Sequence, residues 1–210
     1  MTKTKLNILI TAGGTREYID PVRFISNAST GRMGYALARA AIKAGHKVTL
    51  ITAPTALRPP KEATVVNVVT SDEMFKAIKR EFAKCDCLIM AAAVSDYKPA
   101  APSTTKIKKE QTARSLELKP TRDILKWAGH NKRQRQTIVG FALEDTDILA
   151  NAEQKLKTKK LDMIVANTPA AIGAEKSTLH IKTKTTDWQT YKDISKTTSA
   201  KRILNEIIQL

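Results

Sequence analysis

No apolar run in this chain approaches the roughly 20 residues needed to cross a bilayer, and no leader of basic, apolar and small-residue regions precedes the first strand-like segment. Membrane insertion and secretion are not expected, and a cytoplasmic location is. Cysteine is scarce, with Cys85 and Cys87 only. Two thiols without a Cys/His cluster are too few for a structural zinc site, so both are expected to stay reduced at a helix–strand junction. Aromatic residues make up only 5% of the chain, and acids are outnumbered, 20 against 36 Lys and Arg. The resulting formal charge of +16 favours an anionic partner, whether nucleic acid, a membrane surface or a small phosphorylated ligand. Nucleic-acid binding would want aromatic rings interleaved with the basic residues. None stands among Lys106 to Lys109, so no nucleic acid is expected as the partner.

Two nucleotide fingerprints are also missing. The chain has no G-x-x-x-x-G-K-[ST] loop. Its first Gly turn, Gly13-Gly14, is separated from Gly31 and Gly34 by a long insertion, so the compact G-x-G-x-x-G turn is absent. The second strand ends Leu50-Ile51-Thr52-Ala53-Pro54, with no Asp or Glu to hold a ribose hydroxyl. An NAD(P)-dependent reductase is disfavoured on both counts. What remains is Ser26-Asn27-Ala28-Ser29-Thr30-Gly31, small and polar residues before a helix. They offer hydroxyls and free backbone N–H groups to an anion, or ordinary capping by Ser29 or Thr30.

The 210 residues suit one domain, read as 1–210. Apolar runs at 6–11, 47–52, 63–69, 86–93, 137–143 and 162–166 read as strands. Helical periodicity is found at 31–44, about 71–84, 122–131, 147–160 and 197–209, and Thr70 with Glu73 forms a capping-box pattern. Residues 15–30 read as irregular, 95–114 as a long polar stretch, and 178–192 as a strand pair. The alternation predicts an α/β fold, a Rossmann-like, doubly wound and mostly parallel sheet with helices on both faces, plus a small C-terminal strand pair or flap. Ligands bind outside the carboxyl ends of such strands. Gly13-Gly14, Ala93 to Asp96, Leu143-Glu144 and Asn167 fall there.

Several blocks together carry a family pattern. Ile10-Thr11-Ala12-Gly13-Gly14-Thr15-Arg16-Glu17, Asp20-Pro21-Val22-Arg23, Ile25-Ser26-Asn27 and Ser29-Thr30-Gly31-Arg32-Met33-Gly34 resemble the opening of bacterial phosphopantothenate–cysteine ligases. Ala91-Ala92-Ala93-Val94-Ser95-Asp96-Tyr97, Lys106-Ile107-Lys108-Lys109, Val139-Gly140-Phe141-Ala142-Leu143-Glu144 and Leu161 to Asn167 continue the likeness in order. The resemblance implies an enzyme of coenzyme A synthesis that activates 4′-phosphopantothenate with CTP and Mg2+ and then couples it to L-cysteine. An ATP-using ligase of the same fold is the alternative. It implies catalytic roles for Asn27, in handling the acyl intermediate, and for Lys106, on the triphosphate. Nucleotide binding is implied for Gly13, Gly14, Ser29, Gly31, Ala92, Ala93, Asp96, Lys106, Phe141, Lys155 and Lys159. It extends to the backbone of Asp123, Ile124 and Leu125, where Lys119-Pro120-Thr121-Arg122 departs from the family's usual Asn-Pro. Asn167 is a further candidate for the same pocket. A homodimer, with each site partly covered by the partner, and a decarboxylase on a separate protein are expected. Magnesium ligands and cysteine-binding residues are not legible in the sequence.

Overall fold

The computed structural model of the chain describes residues 5–210. In chain order, its elements begin with β1 (Asn7–Ala12), the short β2 (Arg16–Tyr18) and β3 (Phe24–Ser26), and α1 (Arg32–Lys43). These are followed by β4 (Lys47–Thr52), β5 (Thr64–Asn67), α2 (Ser71–Phe82), β6 (Cys87–Met90), and the short β7 (Tyr97–Pro99) and β8 (Leu118–Pro120). The chain continues through α3 (Ile124–Asn131), β9 (Thr137–Leu143), α4 (Ile148–Thr158), β10 (Met163–Asn167), β11 (Lys176–Thr183), β12 (Gln189–Ser195) and α5 (Lys196–Gln209).

Eight strands form one sheet in the order β12-β11-β10-β9-β6-β1-β4-β5. From β5 to β10 all pairings are parallel. This is the doubly wound order, in which winding starts at β1 and reverses between β1 and β6. The expected C-terminal strand pair is present and extends this sheet, because β11 runs antiparallel to β10 and β12 to β11.

The strands are continuous apolar runs because both faces are covered. Alternation along β10 shows this: Met163 and Val165 join the core beneath α1 and α5, while Ile164 and Ala166 join the core beneath α2, α3 and α4. α1 lies close to β1 because residue 34 is Gly; a Cβ there would come within 2.6 Å of the Ala12 Cβ. The predicted capping pair at α2 is present in a variant form: the Thr70 hydroxyl accepts from the Glu73 amide at 3.2 Å, and the Glu73 carboxylate reaches one residue beyond the N-cap, accepting from Val69 N–H at 2.7 Å. Cys85 and Cys87 are free and buried on opposite faces of the sheet.

Residues 15–30, read as irregular, contain a hairpin, and the polar stretch 95–114 opens on a strand whose partner lies just beyond it. β2 pairs antiparallel with β3, and β7 with β8. Each strand has three residues, too few for alternation to show. The β2–β3 turn is organised by buried Asp20, whose carboxylate accepts from the amides of Val22 (2.9 Å) and Arg23 (2.8 Å) and pairs with the Arg23 guanidinium. The partners β7 and β8 are separated by a polar loop, so no local turn signal marks them.

Candidate active site

At the carboxyl edge of the sheet, where the winding reverses, lies a cleft of about 710 Å3. Its floor is backbone. The Ala93 amide donates to the Gly13 carbonyl at 2.9 Å, and the Thr15 amide to the Ala93 carbonyl at 3.2 Å. The Ala92 amide donates to the Thr11 hydroxyl at 3.1 Å. The loops after β1 and β6 are thus joined beyond their strands. Only glycine fits the β1 loop. Gly13 has φ 81°, and a Cβ on it would lie 2.8 Å from the Ala53 carbonyl oxygen; a Cβ on Gly14 would lie 2.8 Å from that of Asn27. Both glycines support the cleft and do not line it.

Asn27 follows β3, lines the cleft, and donates from its side-chain amide to the Val94 carbonyl at 3.2 Å. This contact holds it across the end of β6. Ser29 and Gly31 also line the cleft. Of the two readings left open for this stretch, capping of α1 by Ser29 or Thr30 is not found. Gly31 is the N-cap, at φ 76°, and no side chain caps the helix. The Ser29 hydroxyl instead accepts from the Gly31 amide at 3.3 Å. The left-handed turn is open to Gly at little cost and leaves the first N–H groups of α1 without a side-chain acceptor.

The opposite wall comes from α3, β9 and α4. Asp123 caps α3 by accepting from the Lys126 amide at 2.9 Å, and pairs with Lys159 at 3.0 Å. Burial pushes the Asp123 carboxyl up, but the Lys126 amide and Lys159 outweigh it, leaving the carboxyl below its usual range. Lys155, one turn before Lys159 on α4, has its ammonium pushed down first by burial and then by Lys159, partly offset by Glu144, Asp96 and Asp123. Ala92, Ala93, Asp96, Ile124, Leu125, Phe141 and Asn167 are on the same surface. The cleft therefore brings together cations, carboxylates, small residues that permit close approach, and one ring.

Lys106 is not there. It is exposed, in the loop between β7 and β8, and does not line this cleft. The loop is tied to the β2–β3 turn: Ile107 N–H donates to Asp20 at 3.1 Å and the Ile107 carbonyl accepts from Arg23 at 2.8 Å. Sequence reasoning also passed over Lys196, which opens α5 and lines the cleft. Its only signal was a basic residue at a helix start, which no local rule picks out.

The family model described as DNA/pantothenate metabolism flavoprotein C-terminal domain matches residues 3–210. The coenzyme A biosynthesis bifunctional protein CoaBC of Bacillus subtilis (strain 168) is 47% identical over 169 residues, which are 80% of this chain and 41% of that protein. A protein named cysteine/cysteine sulfinic acid decarboxylase, from an unknown prokaryotic organism, is 42% identical over 218 residues, covering 100% of this chain and 61% of that protein. The chain thus spans less than two thirds of the length of these relatives. Among solved structures, the C-terminal domain of CoaBC has a TM-score of 0.84 at 35% identity, covering 100% of this chain and 97% of that one. The DNA/pantothenate metabolism flavoprotein from Streptococcus pneumoniae has a TM-score of 0.84 at 27% identity, covering 96% and 98%. With the whole fold and nearly all of its sequence matched, the chain belongs to the DNA/pantothenate metabolism flavoprotein C-terminal domain family.

Proposed function

We propose that the chain is a phosphopantothenate–cysteine ligase of coenzyme A synthesis that uses CTP. One observation carries the reading. A single cleft at the switch point of a doubly wound sheet gathers Asn27, Asp96, Phe141, Lys155 and Lys159, in a fold matched throughout by the C-terminal domain of CoaBC.

The chemistry follows from the substrates. A carboxylate is a poor acyl donor until it carries a good leaving group. An oxygen of the 4′-phosphopantothenate carboxylate attacks the α-phosphorus of CTP, the α–β anhydride bond breaks, and pyrophosphate leaves. The cysteine amine then attacks the acyl carbon of the acyl-cytidylate, loses a proton, and CMP departs as the amide forms. Asn27 contributes an amide beside the acyl group, positioned by Val94. Asp96 and Lys155 offer an acceptor and a donor to the base, and Phe141 offers a ring face. Cations placed on developing phosphate charge act mainly in the transition state.

The described residues contain no group of three or more His, Cys, Asp or Glu able to hold a metal. The chain therefore suits magnesium supplied with the nucleotide and held by phosphate and water oxygens, where it would neutralise triphosphate charge.

Lys106 acts, in this reading, from a loop that closes over a bound nucleotide, in its own cleft or in that of a second copy. Exposed apolar side chains on the two hairpins, among them Tyr18, Phe24, Tyr97 and Leu118, support a homodimer. No described helix is long and apolar enough to cross a membrane.

The test is pyrophosphate release from the purified protein with 4′-phosphopantothenate and magnesium, comparing CTP with ATP, with and without cysteine, and identifying products by mass spectrometry. Release with CTP, an acyl-cytidylate without cysteine and the amide with it are expected. Turnover with ATP alone would keep the ligase and change the nucleotide. No release with either would refute the reading.

A further inference from the structure

The two ends of the cleft differ in charge. At the α4 end cations and carboxylates alternate: Lys159 pairs with Asp123 at 3.0 Å, and Lys155 is in the field of Glu144, Asp96 and Asp123. Such an end suits a neutral ring with donors and acceptors on its rim.

At the other end stand Arg32 and Lys196, both lining the cleft. Arg32 is the first residue of α1 and Lys196 the first of α5. Their partners are uncharged: Arg32 donates to the Gly173 carbonyl at 2.9 Å, and Lys196 to the Ser177 hydroxyl at 3.0 Å. Among the described residues neither forms an ion pair with a carboxylate. Burial pushes the Lys196 ammonium down, and the nearby Arg32 charge pushes it further. Arg32 is exposed at the rim and Lys196 half-buried; two like charges on one wall oppose each other, and an anion between them would relieve the repulsion. Alongside, the uncapped first turn of α1 behind Gly31 offers backbone N–H groups to the same anion.

We propose that Arg32 and Lys196 form the subsite for the terminal phosphates of the nucleotide, the pyrophosphate that leaves when the carboxylate is activated. The assignment rests on the ligase reading above for the identity of its ligand. As the bond from carboxylate oxygen to α-phosphorus forms and the α–β anhydride breaks, the electron pair goes to the oxygen of the departing pyrophosphate. The two cations stabilise the charge that develops there. The base then lies at the α4 end and the triphosphate runs past Ala92, Ala93 and Gly31 towards α5. The phosphomonoester of 4′-phosphopantothenate is the other phosphate that could seek this pole, and the experiment separates the two.

Inorganic pyrophosphate and 4′-phosphopantothenate are titrated separately, by calorimetry at fixed ionic strength, into the wild-type chain, Arg32→Gln, Lys196→Gln and Lys196→Arg, each checked for folding by circular dichroism. Pyrophosphate binding is expected to weaken about tenfold or more in each Gln variant and to be largely restored in Lys196→Arg, with 4′-phosphopantothenate binding unchanged. Gln variants that bind pyrophosphate like the wild type, or a wild type that does not bind it, overturn the proposal. Weakened 4′-phosphopantothenate binding with intact pyrophosphate binding also overturns it and gives the pole to the phosphomonoester. Loss of pyrophosphate binding in the variants of a chain that shows no nucleotide-dependent turnover upholds the phosphate subsite while refuting the ligase reading.

Discussion

Gly129 sits near the end of α3, and helix propensity alone says that Gly129→Ala should stabilise the chain by about 1 kcal/mol. Packing says the reverse. A Cβ at residue 129 would stand 3.0 Å from the Lys159 carbonyl carbon, closer still to its oxygen, and 3.4 Å from the Lys160 carbonyl oxygen. These are backbone atoms, so no rotamer change can relieve the contact. Either α3 or the end of α4 must move. Overpacking of this kind costs about 1–3 kcal/mol, and backbone contacts belong at the upper end. Set against the propensity gain, the net expectation is a loss of about 2 kcal/mol. For a chain of this size that is a fall in Tm of about 4–8 °C.

The displaced segment carries Lys159, which is paired with Asp123, so the strain has a local readout as well. The KM for nucleotide should rise together with the fall in Tm. Gly45→Ala is the comparator. Its φ of 91° strains an alanine, while a Cβ there meets nothing within 4 Å; it should cost about 1 kcal/mol and leave KM unchanged. Thermal unfolding with a steady-state assay on both variants decides the matter. A Gly129→Ala chain as stable as the wild type, or more so, refutes the close approach of α3 to α4.

Other expectations follow from single contacts. Asn27→Asp should lower amide formation about a hundredfold while equilibrium CTP binding changes little; unchanged turnover refutes the assignment of Asn27. Asp162 is bonded by Lys132 at 2.5 Å, Lys184 at 2.8 Å and the Ile138 amide at 2.8 Å. Burial pushes its carboxyl up, but these donors hold it below the ordinary range. A carboxyl depressed in the folded state contributes stability that is full above its unfolded value, about 4, and is lost as pH falls through the folded one. Asp162→Asn should thus cost about 2–3 kcal/mol at neutral pH and flatten the acid limb of a pH–stability profile; an unaltered acid limb counts against the bridge. Because the Lys155 ammonium is depressed, it gives up its proton at lower pH than an ordinary lysine. Nucleotide binding should weaken early on the alkaline side, and Lys155→Arg should remove that limb while retaining affinity near neutrality.

The layers of the fold were legible because they are written in runs and periods. The edges of β4 and β9 fall where the apolar runs 47–52 and 137–143 place them, and Thr70 marks the start of α2 as a capping residue should. The doubly wound rule then located the cleft from strand ends alone. The hairpins were not legible. β2, β3, β7 and β8 have three residues each, and what holds them is long-range. Asp20 reaches Ile107, Thr121 N–H donates to the Asp96 carbonyl at 2.8 Å, and Ser103 N–H donates to that of Ile19 at 2.8 Å. Lys106 was marked by its motif, and its motif could not say that its loop is fastened beside the first hairpin and away from the cleft. The start of α1 fell at Gly31 as the periodicity placed it, but which residue caps it was not legible. Capping rules reward Ser29 and Thr30, whereas the residue at the helix start is Gly31 with φ 76°, next to a long-range bond from the Thr55 hydroxyl to the Thr30 carbonyl at 3.0 Å.

The distribution of charge explains why a basic chain can be selective. At the far end of the sheet Asp162 occupies both Lys132 and Lys184. On α4, Lys157 is held by Glu153 and Lys159 by Asp123. These cations are satisfied internally and offer an incoming anion little. The cations at the rim of the cleft without a carboxylate of their own are another matter, since a bound anion returns to them the stabilisation that their surroundings withhold. Beneath them the cleft surface at Gly31, Ala92 and Ala93 presents no side chain larger than a methyl group, which leaves the backbone there open to close approach. A net charge of +16 attracts polyanions in general. On the proposed reading, a surface that admits them, with cations lacking a carboxylate at one end and mixed charge at the other, would favour a polyanion that carries a polar ring.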